Sequence, residues 1–156
     1  MPGRLVFAWR SPTWGGGIAF HEPAAEPGPE VLARAYLVTV RQLCDVLEQE
    51  MRREPGVDHD LRPVLTGARH VVGPGRYETL VPAGRLDGRP VVTLGCDDAR
   101  ALGLRAPAAA YVATLARGLR ATHRLADEEF VDYLLGCPGV TPRWTRATLL
   151  EAVASS

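Results

Sequence analysis

The chain has 156 residues yet no lysine, no asparagine and a single isoleucine, Ile18. Codons for these three amino acids are rich in A and T, so the deficit reads as the composition of a GC-rich genome. The 18 basic residues are all arginine for the same reason and are not read as a phosphate-binding array. No charge of one sign dominates, because 18 acids offset the 18 arginines. That balance argues against a global field drawing the protein to nucleic acid or to an anionic membrane surface. Small molecules or other proteins are the expected partners. Cysteine is scarce: Cys44, Cys96 and Cys137 are odd in number and far apart, without a CxxC or a nearby Cys/His ligand spacing. A disulfide framework is therefore not expected, and a reducing compartment is the simplest reading. Long hydrophobic runs are missing too. No stretch approaches the roughly 20 apolar residues of a membrane span, and MPGRLVFAWRSPTW has no signal-peptide core, so a cytoplasmic location is expected.

The length suits one domain, large enough to remove roughly two-thirds of its unfolded surface from water. LVFAW (Leu5 to Trp9) and GGIAF (Gly16 to Phe20) read as a strand hairpin around RSPTWG, and three prolines and a glycine make His21 to Glu30 a surface loop. VLARAYLVTV, with alternation around Ala33, Ala35 and Leu37, reads as another strand. Thr39 and Gln42 have the spacing of a capping box, which predicts a helix over Val40 to Arg53, ending before Pro55-Gly56. VDHDLRP is polar and loop-like. ARHVV leads through Gly73-Pro74-Gly75 into RYETLV and AGRL, and Asp87-Gly88 has the composition of a type I′ turn joining them to RPVVTLGC. Beyond this point the period changes to that of helices. One runs through Ala108, Tyr111, Val112, Leu115 and Leu119. A second spans DEEFVDYLLG, with an acidic first turn and a stop at Gly136. A third starts at Thr141-Pro142 and runs through WTRATLLEAVA. Strands, helix, strands and then helices predict an α+β fold in a single domain covering 1–156.

Within the first helix Val40, Leu43, Leu47 and Met51 fall in a sector of about 80°, and Glu50 lies about 20° from Leu43. Glu50 is thereby expected to face the core, while Asp45, Glu48 and Gln49 point to water. A desolvated carboxylate favours its protonated form, which suits a group that takes and returns a proton near neutral pH. Glu50 is a candidate general acid/base on that ground. The competing reading is a surface carboxylate near the fraying helix end, paired with Arg52, Arg53 or another arginine.

Other constellations carry less. His21-Glu22 does not extend into HExxH, and His59, His70 and His123 have no zinc-site spacing, so neither metal nor other cofactor is expected. Trp14-Gly15-Gly16-Gly17 lacks GxGxxG spacing and a following helix, and reads as a tight turn at a strand start. Asp97-Asp98 could hold a cation but reads as solvated. Cys44 lies on the apolar side of its helix and reads as a buried thiol. Tyr111 at its helical position reads as core.

Taken together, VFAWRSPTWGGGIAF, AYLVTVRQLCDVLEQEM, GRYETLV with PVVTLG, and PAAAYVATLARGLRATHRL resemble the γ-glutamylcyclotransferase-like family over most of the chain. They come nearest to an actinobacterial branch whose members often bear the label histone deacetylase. The metal ligands that a zinc deacetylase needs are not found in the sequence. The resemblance implies a small mixed β-barrel flanked by helices, short of its first strand as the sequence stands, and no cofactor. It also implies a reaction in which the α-amine of a γ-glutamyl compound attacks its own γ-carbonyl, releasing an amine or amino acid and 5-oxoproline. The family pattern LxxxEG falls on Leu47 to Met51, which places Glu50 at the catalytic acid/base. The pattern PSxxY falls on Pro107 to Tyr111, which places Tyr111 at the pocket wall. By the same resemblance Gly15 and Gly16 are expected at the substrate.

Two departures accompany these matches. The family's YGSN loop, whose backbone N–H groups hold the substrate and its oxyanion, does not occur in the sequence, and Met51 stands where the family has glycine. Losing oxyanion donors typically costs about a hundredfold or more in rate. Two expectations follow. Either the natural chain carries a YGSN segment ahead of Met1 and is an enzyme, or the protein is a non-catalytic relative that binds a γ-glutamyl or similar ligand, or a partner protein.

Overall fold

A computed structural model describes residues 1–23, 28–96, 98–141 and 143–154. They form an α+β protein in two compact units, the first made of Ala35–Asp97 with Met1, the second of Pro2–Arg34 and Asp98–Ser156. Among the described residues no helix is long and apolar enough to cross a membrane.

The second unit begins with the expected hairpin. Strand β1 (Arg4–Arg10) pairs antiparallel with β2 (Gly17–Glu22) in a register that sets Val6 opposite Phe20 and Phe7 opposite Ala19. β2 takes in His21 and Glu22, which the nearby prolines place in the loop on sequence grounds. His21 is buried, with Nε2 2.9 Å from the Pro2 carbonyl oxygen. The rest of that predicted loop falls partly on residues 24–27, outside the described residues. Three helices follow: α3 (Ala109–His123), α4 (Asp127–Leu135) and α5 (Arg146–Ala154). Their buried stripes enclose Phe7, Val112, Phe130, Leu134, Leu149 and Val153. The start of α4 is held by the Glu129 carboxylate, which accepts the Ala126 N–H at 2.9 Å. α5 begins later than Thr141 suggests, and Pro142 lies outside the described residues. Thr145 supplies the cap instead: its hydroxyl accepts the Thr148 N–H at 3.3 Å, and the Thr148 hydroxyl accepts the Thr145 N–H at 3.1 Å. Reciprocal capping of this kind satisfies two donors that an open helix start leaves bare.

At the end of the hairpin Glu22 accepts from two arginines. Arg4 Nε lies 2.6 Å from Oε2 and Arg100 Nε 2.5 Å from Oε1. Chiefly through Arg100, they hold the Glu22 carboxyl down at about 2. A carboxyl depressed in the folded state contributes stability above its unfolded value, near 4.5, and loses it as pH falls toward 2. Glu22→Gln is therefore expected to flatten the pH dependence of the thermal midpoint between those limits and to lower its neutral-pH plateau. Melting both proteins across that range checks it.

The segment leading into the first unit, read as a strand from Val31 to Val40, takes no regular structure from Val31 to Thr39, and Val40 belongs to a helix instead. Tyr36 and Leu37 are exposed. β-propensity reflects packing on a half-buried sheet face, and among the described residues no strand pairs with this one. The capping box forms as predicted: the Thr39 N–H donates to Gln42 Oε1 at 2.8 Å and the Gln42 N–H to Thr39 Oγ1 at 3.2 Å. Helix α1 spans Val40–Glu50, three residues shorter than predicted. A one-turn helix, α2 (Arg62–Leu65), stands in the region read as loop, with Pro63 in its first turn and the Asp60 carboxylate accepting the Arg62 N–H. β3 (His70–Val71), β4 (Thr79–Leu86) and β5 (Arg89–Gly95) form a three-stranded antiparallel sheet. Asp87 and Gly88 take φ of 48° and 75°, as a type I′ turn requires. Cys44, Leu47, Leu61, Val64 and Leu80 are the core of this unit. Among the described residues the strands make sheets of two and three members, neither closed into a barrel.

Candidate functional site

Helix α1 buries a different stripe from the one its leucines predict. Cys44, Leu47 and Glu48 are buried, Val40 is half exposed, and Glu50 is exposed. The buried face is turned by about 45° at 100° per residue, which carries Glu48 inward and Glu50 outward. Both expectations for these acids are therefore reversed. Glu48 is tolerated inside because it has partners. Arg53 donates to it through Nε at 2.8 Å and Nη2 at 3.0 Å, and His59 Nε2 lies 2.7 Å from Oε1. A two-pronged guanidinium and a ring nitrogen compensate a carboxylate that burial alone would penalise. Arg53 first, then His59, pulls the Glu48 carboxyl below its ordinary value, and Glu48 and Glu78 raise that of Arg53.

The same guanidinium reaches a second buried acid. Arg53 Nη2 lies 2.5 Å from Glu78 Oε1, and the other oxygen of Glu78 accepts the Gly75 N–H at 2.5 Å. Gly73 and Gly75 leave room for that carboxylate. A Cβ on Gly73 would stand 2.6 Å from the Glu78 carboxyl carbon, and one on Gly75 would meet Glu78 Oε2 and the Met51 methyl. Helix end, loop and glycine turn are thus tied by one knot of charges: Glu48, Arg53, His59 and Glu78.

The knot also sets how α1 stops. Met51 has φ of −91° and needs no glycine; the left-handed residue is Arg52, at φ 57°. The Arg52 N–H donates to the Gln49 carbonyl and the Arg53 N–H to the Glu48 carbonyl, both at 2.9 Å, completing a Schellman end. The turn therefore forms with a side chain at residue 51. Glu50 sits at the last helical position, and among the described residues its carboxylate has no hydrogen bond or ion pair. Arg53, one of its expected partners in the surface reading, is turned to Glu48 and Glu78 instead.

Tyr111, Gly15 and Gly16 belong to the second unit. Tyr111 is half-buried against the core, as its helical position predicts. Its hydroxyl oxygen accepts the Ala19 N–H at 3.3 Å, and Trp14 packs on its ring with centroids 5.1 Å apart. Gly15 turns the loop at φ 73°, with its N–H donated to the Ser11 carbonyl at 2.8 Å. Gly16 lies against the 106–108 backbone, where a Cβ would come within 2.5 Å of Ala108 N. The Gly16 N–H has no acceptor among the described residues.

The remaining candidates have structural work. Asp98 Oδ1 accepts the N–H groups of Arg100 and Ala101, capping the short 3₁₀ turn at Arg100–Leu102; Asp97 lies outside the described residues. Cys44 and Cys137 are buried, and burial pushes the Cys137 thiol up to about 11, far from a reactive thiolate. Among the described residues no three His, Cys, Asp or Glu side chains converge to hold a metal. An open groove of about 430 Å³ between α3 and α5, lined by Ala109, Ala113, Trp144, Thr148 and Glu151, offers no acid–base pair.

Sequence reasoning missed Glu48, Arg53, His59 and Glu78. The available signal was Glu78 in RYETLV, an acid entering an apolar strand, which demands a cation when buried.

Against known proteins, no family model matches the chain, and no solved structure does. The chain is similar to a protein named histone deacetylase 5 from Arabidopsis thaliana, with 33% identity over 153 residues. That match takes in 85% of this chain but only 23% of the plant protein, so the chain spans about a quarter of the length of the relative that it resembles.

Proposed function

We propose that the protein is a γ-glutamylcyclotransferase-like enzyme with Glu50 as its general acid/base. The observation that carries the reading is the contrast at the end of α1: Glu48 is buried and consumed by Arg53 and His59, whereas Glu50, two residues on, is exposed and uncommitted. In the proposed reaction Glu50 takes a proton from the substrate's α-ammonium. The freed amine attacks the γ-carbonyl, closing the five-membered ring. The γ-amide C–N bond then breaks as that proton passes from Glu50 to the departing nitrogen, and the ring nitrogen gives its remaining extra proton to the released amine, leaving the neutral lactam N–H and an ammonium product. The nucleophile is tethered to its target, so proximity supplies much of the acceleration, and the residues assigned here need no cofactor. Tyr111, Gly15 and Gly16 stay in the proposal as substrate contacts on the strength of the family resemblance alone. The small barrel of that family is likewise part of the proposal. The deacetylase name is said of the plant protein, and nothing in this reading draws on it.

A second reading has its own support: Glu50 stands in water rather than in the apolar setting that the sequence suggests, and YGSN does not occur in the chain. On that reading the protein binds a γ-glutamyl or similar ligand without turnover. Calorimetric titration with glutathione, a γ-glutamyl amino acid and a γ-glutamyl amine, followed by chromatographic assay for 5-oxoproline, separates the two. Release of 5-oxoproline is the expected result. Saturable heat without product selects the binding reading, and the lack of both heat and product rejects the two together.

A further inference from the structure

We propose that Arg53 is a positioning residue for Glu50, an inference that rests on the reading of Glu50 as acid/base. Glu50 lies between two residues whose side chains are both held: Glu48 by the Arg53 fork and His59, and Met51 against Gly75. Helix ends fray because their last carbonyls lack partners. Here Arg53 addresses that tendency twice. Its backbone N–H closes the Schellman turn on the Glu48 carbonyl, and its guanidinium returns to the Glu48 side chain. The third contact, to Glu78 at the entry of β4, anchors the turn to the sheet of the same unit. The Glu50 carboxylate is left free, while the backbone that aims it is tied on both sides.

Stability alone is a poor account of such a cluster. Burying two carboxylates and most of an imidazole is costly even though the Arg53 side chain keeps 43% of its surface in water, and apolar side chains of similar volume are often as stabilising or more so. Buried ionic clusters are better explained where geometry must be fixed. The guanidinium matters here for its shape, since a planar fork can grip Glu48 with two nitrogens while one of them also meets Glu78. An ammonium carries the same charge without that fork.

The deciding variant is Arg53→Lys, measured beside wild type and an Arg62→Lys control, whose arginine pairs on the surface with Asp60. Turnover of the best γ-glutamyl compound and amide hydrogen exchange are both recorded. Expected for Arg53→Lys are a fall in kcat of at least tenfold with KM within twofold, and faster exchange confined to the Arg52 and Arg53 amides, with Leu47 and Leu80 unchanged. If kcat stays within twofold of wild type, or if the core amides accelerate equally, the positioning role is overturned. Should Arg53→Lys fail to fold, Glu78→Gln decides: it keeps the shape of the side chain and an acceptor for Gly75 but weakens the anchor, and the same kcat-selective loss is expected. A wild-type chain that releases no 5-oxoproline overturns the reading of Glu50 and this role with it. An active wild type with an equally active Arg53→Lys overturns this role alone.

Discussion

Glu50→Gln is expected to cut 5-oxoproline release at least a hundredfold while leaving the protein slightly more stable. The two effects come from the same place in the fold. Removal of a positioned acid/base typically costs about a hundredfold to ten-thousandfold in rate, and glutamine preserves the side chain's shape while losing its ability to carry a proton. The stability gain comes from the helix dipole. The last turn of α1 contains no basic residue, and Glu50 places a negative charge at the end where the backbone is already negative. Glu48 shares that unfavourable position but is compensated by Arg53 and His59. Glu50 has no such partner among the described residues. Neutralising it should therefore raise stability by about 0.3–1 kcal/mol at low ionic strength, the gain shrinking as salt screens it. Urea midpoints in low and high salt, taken beside the product assay, test both halves. A variant that turns over normally removes Glu50 from the chemistry, and one that is both inactive and less stable shows that the carboxylate has a structural partner. The expected dissociation, activity lost while stability rises, is the signature of a residue held for function against local preference.

The elements that could be read from the sequence are those whose determinants lie within a few residues of one another. Thr39 and Gln42 fix the start of α1 because each side chain satisfies the other's backbone. Asp87 and Gly88 fix the β4–β5 turn because both can adopt a positive φ. The helices of the last third announce themselves through the spacing of Tyr111, Val112, Leu115 and Leu119, all of which meet the core of the second unit. Failures arise where the deciding partner is distant. Val31 to Val40 has the composition of a strand, but a strand exists only with a ladder beside it. Periodicity misplaces the two glutamates for a related reason. It ranks every glutamate as polar, so it aligns α1 on Val40, Leu43 and Leu47. The actual orientation buries Glu48, which becomes acceptable only with Arg53 beyond the helix, His59 in the next loop and the shared contact to Glu78. The spacing of apolar residues within α1 carries no trace of those three. Glu50 differs from its neighbours, though not by the burial that its spacing suggests. What distinguishes it is that it has no partner among the described residues, in a turn where the other buried or anchored groups have them.

Gly17→Ala should have the largest effect on stability, about 3 kcal/mol, and comparison with Gly15→Ala reveals why the glycine run exists. A Cβ on Gly17 would collide with the Arg105 carbonyl oxygen and lie 2.8 Å from its carbon. Both are backbone atoms, so no flexible side chain can swing away. Neither strand of chain is free to retreat: Gly17 is paired with Arg10 in the hairpin and donates its N–H to the Ala106 carbonyl, while the Arg105 N–H is itself donated to the Phe7 carbonyl. The methyl must therefore break either the hairpin register or the packing of the 105–106 segment, and overpacking of that kind reaches the upper end of its usual range. Gly15 differs in kind. It is exposed with nothing near its Cβ position, and only its φ of 73° favours glycine, so alanine there should cost about 1 kcal/mol. Urea denaturation of both variants tests this ordering. Equal losses would mean that the loop relaxes as a whole and that the close approach at Gly17 does not constrain it. The expected inequality also bears on ligand contact. The Gly15 and Gly17 N–H groups are already donated to Ser11 and Ala106, while that of Gly16 has no acceptor among the described residues. Gly15→Ala, being mild, should then preserve ligand affinity within about threefold, a change of about 0.7 kcal/mol or less. A larger loss would place Gly15 itself against the ligand.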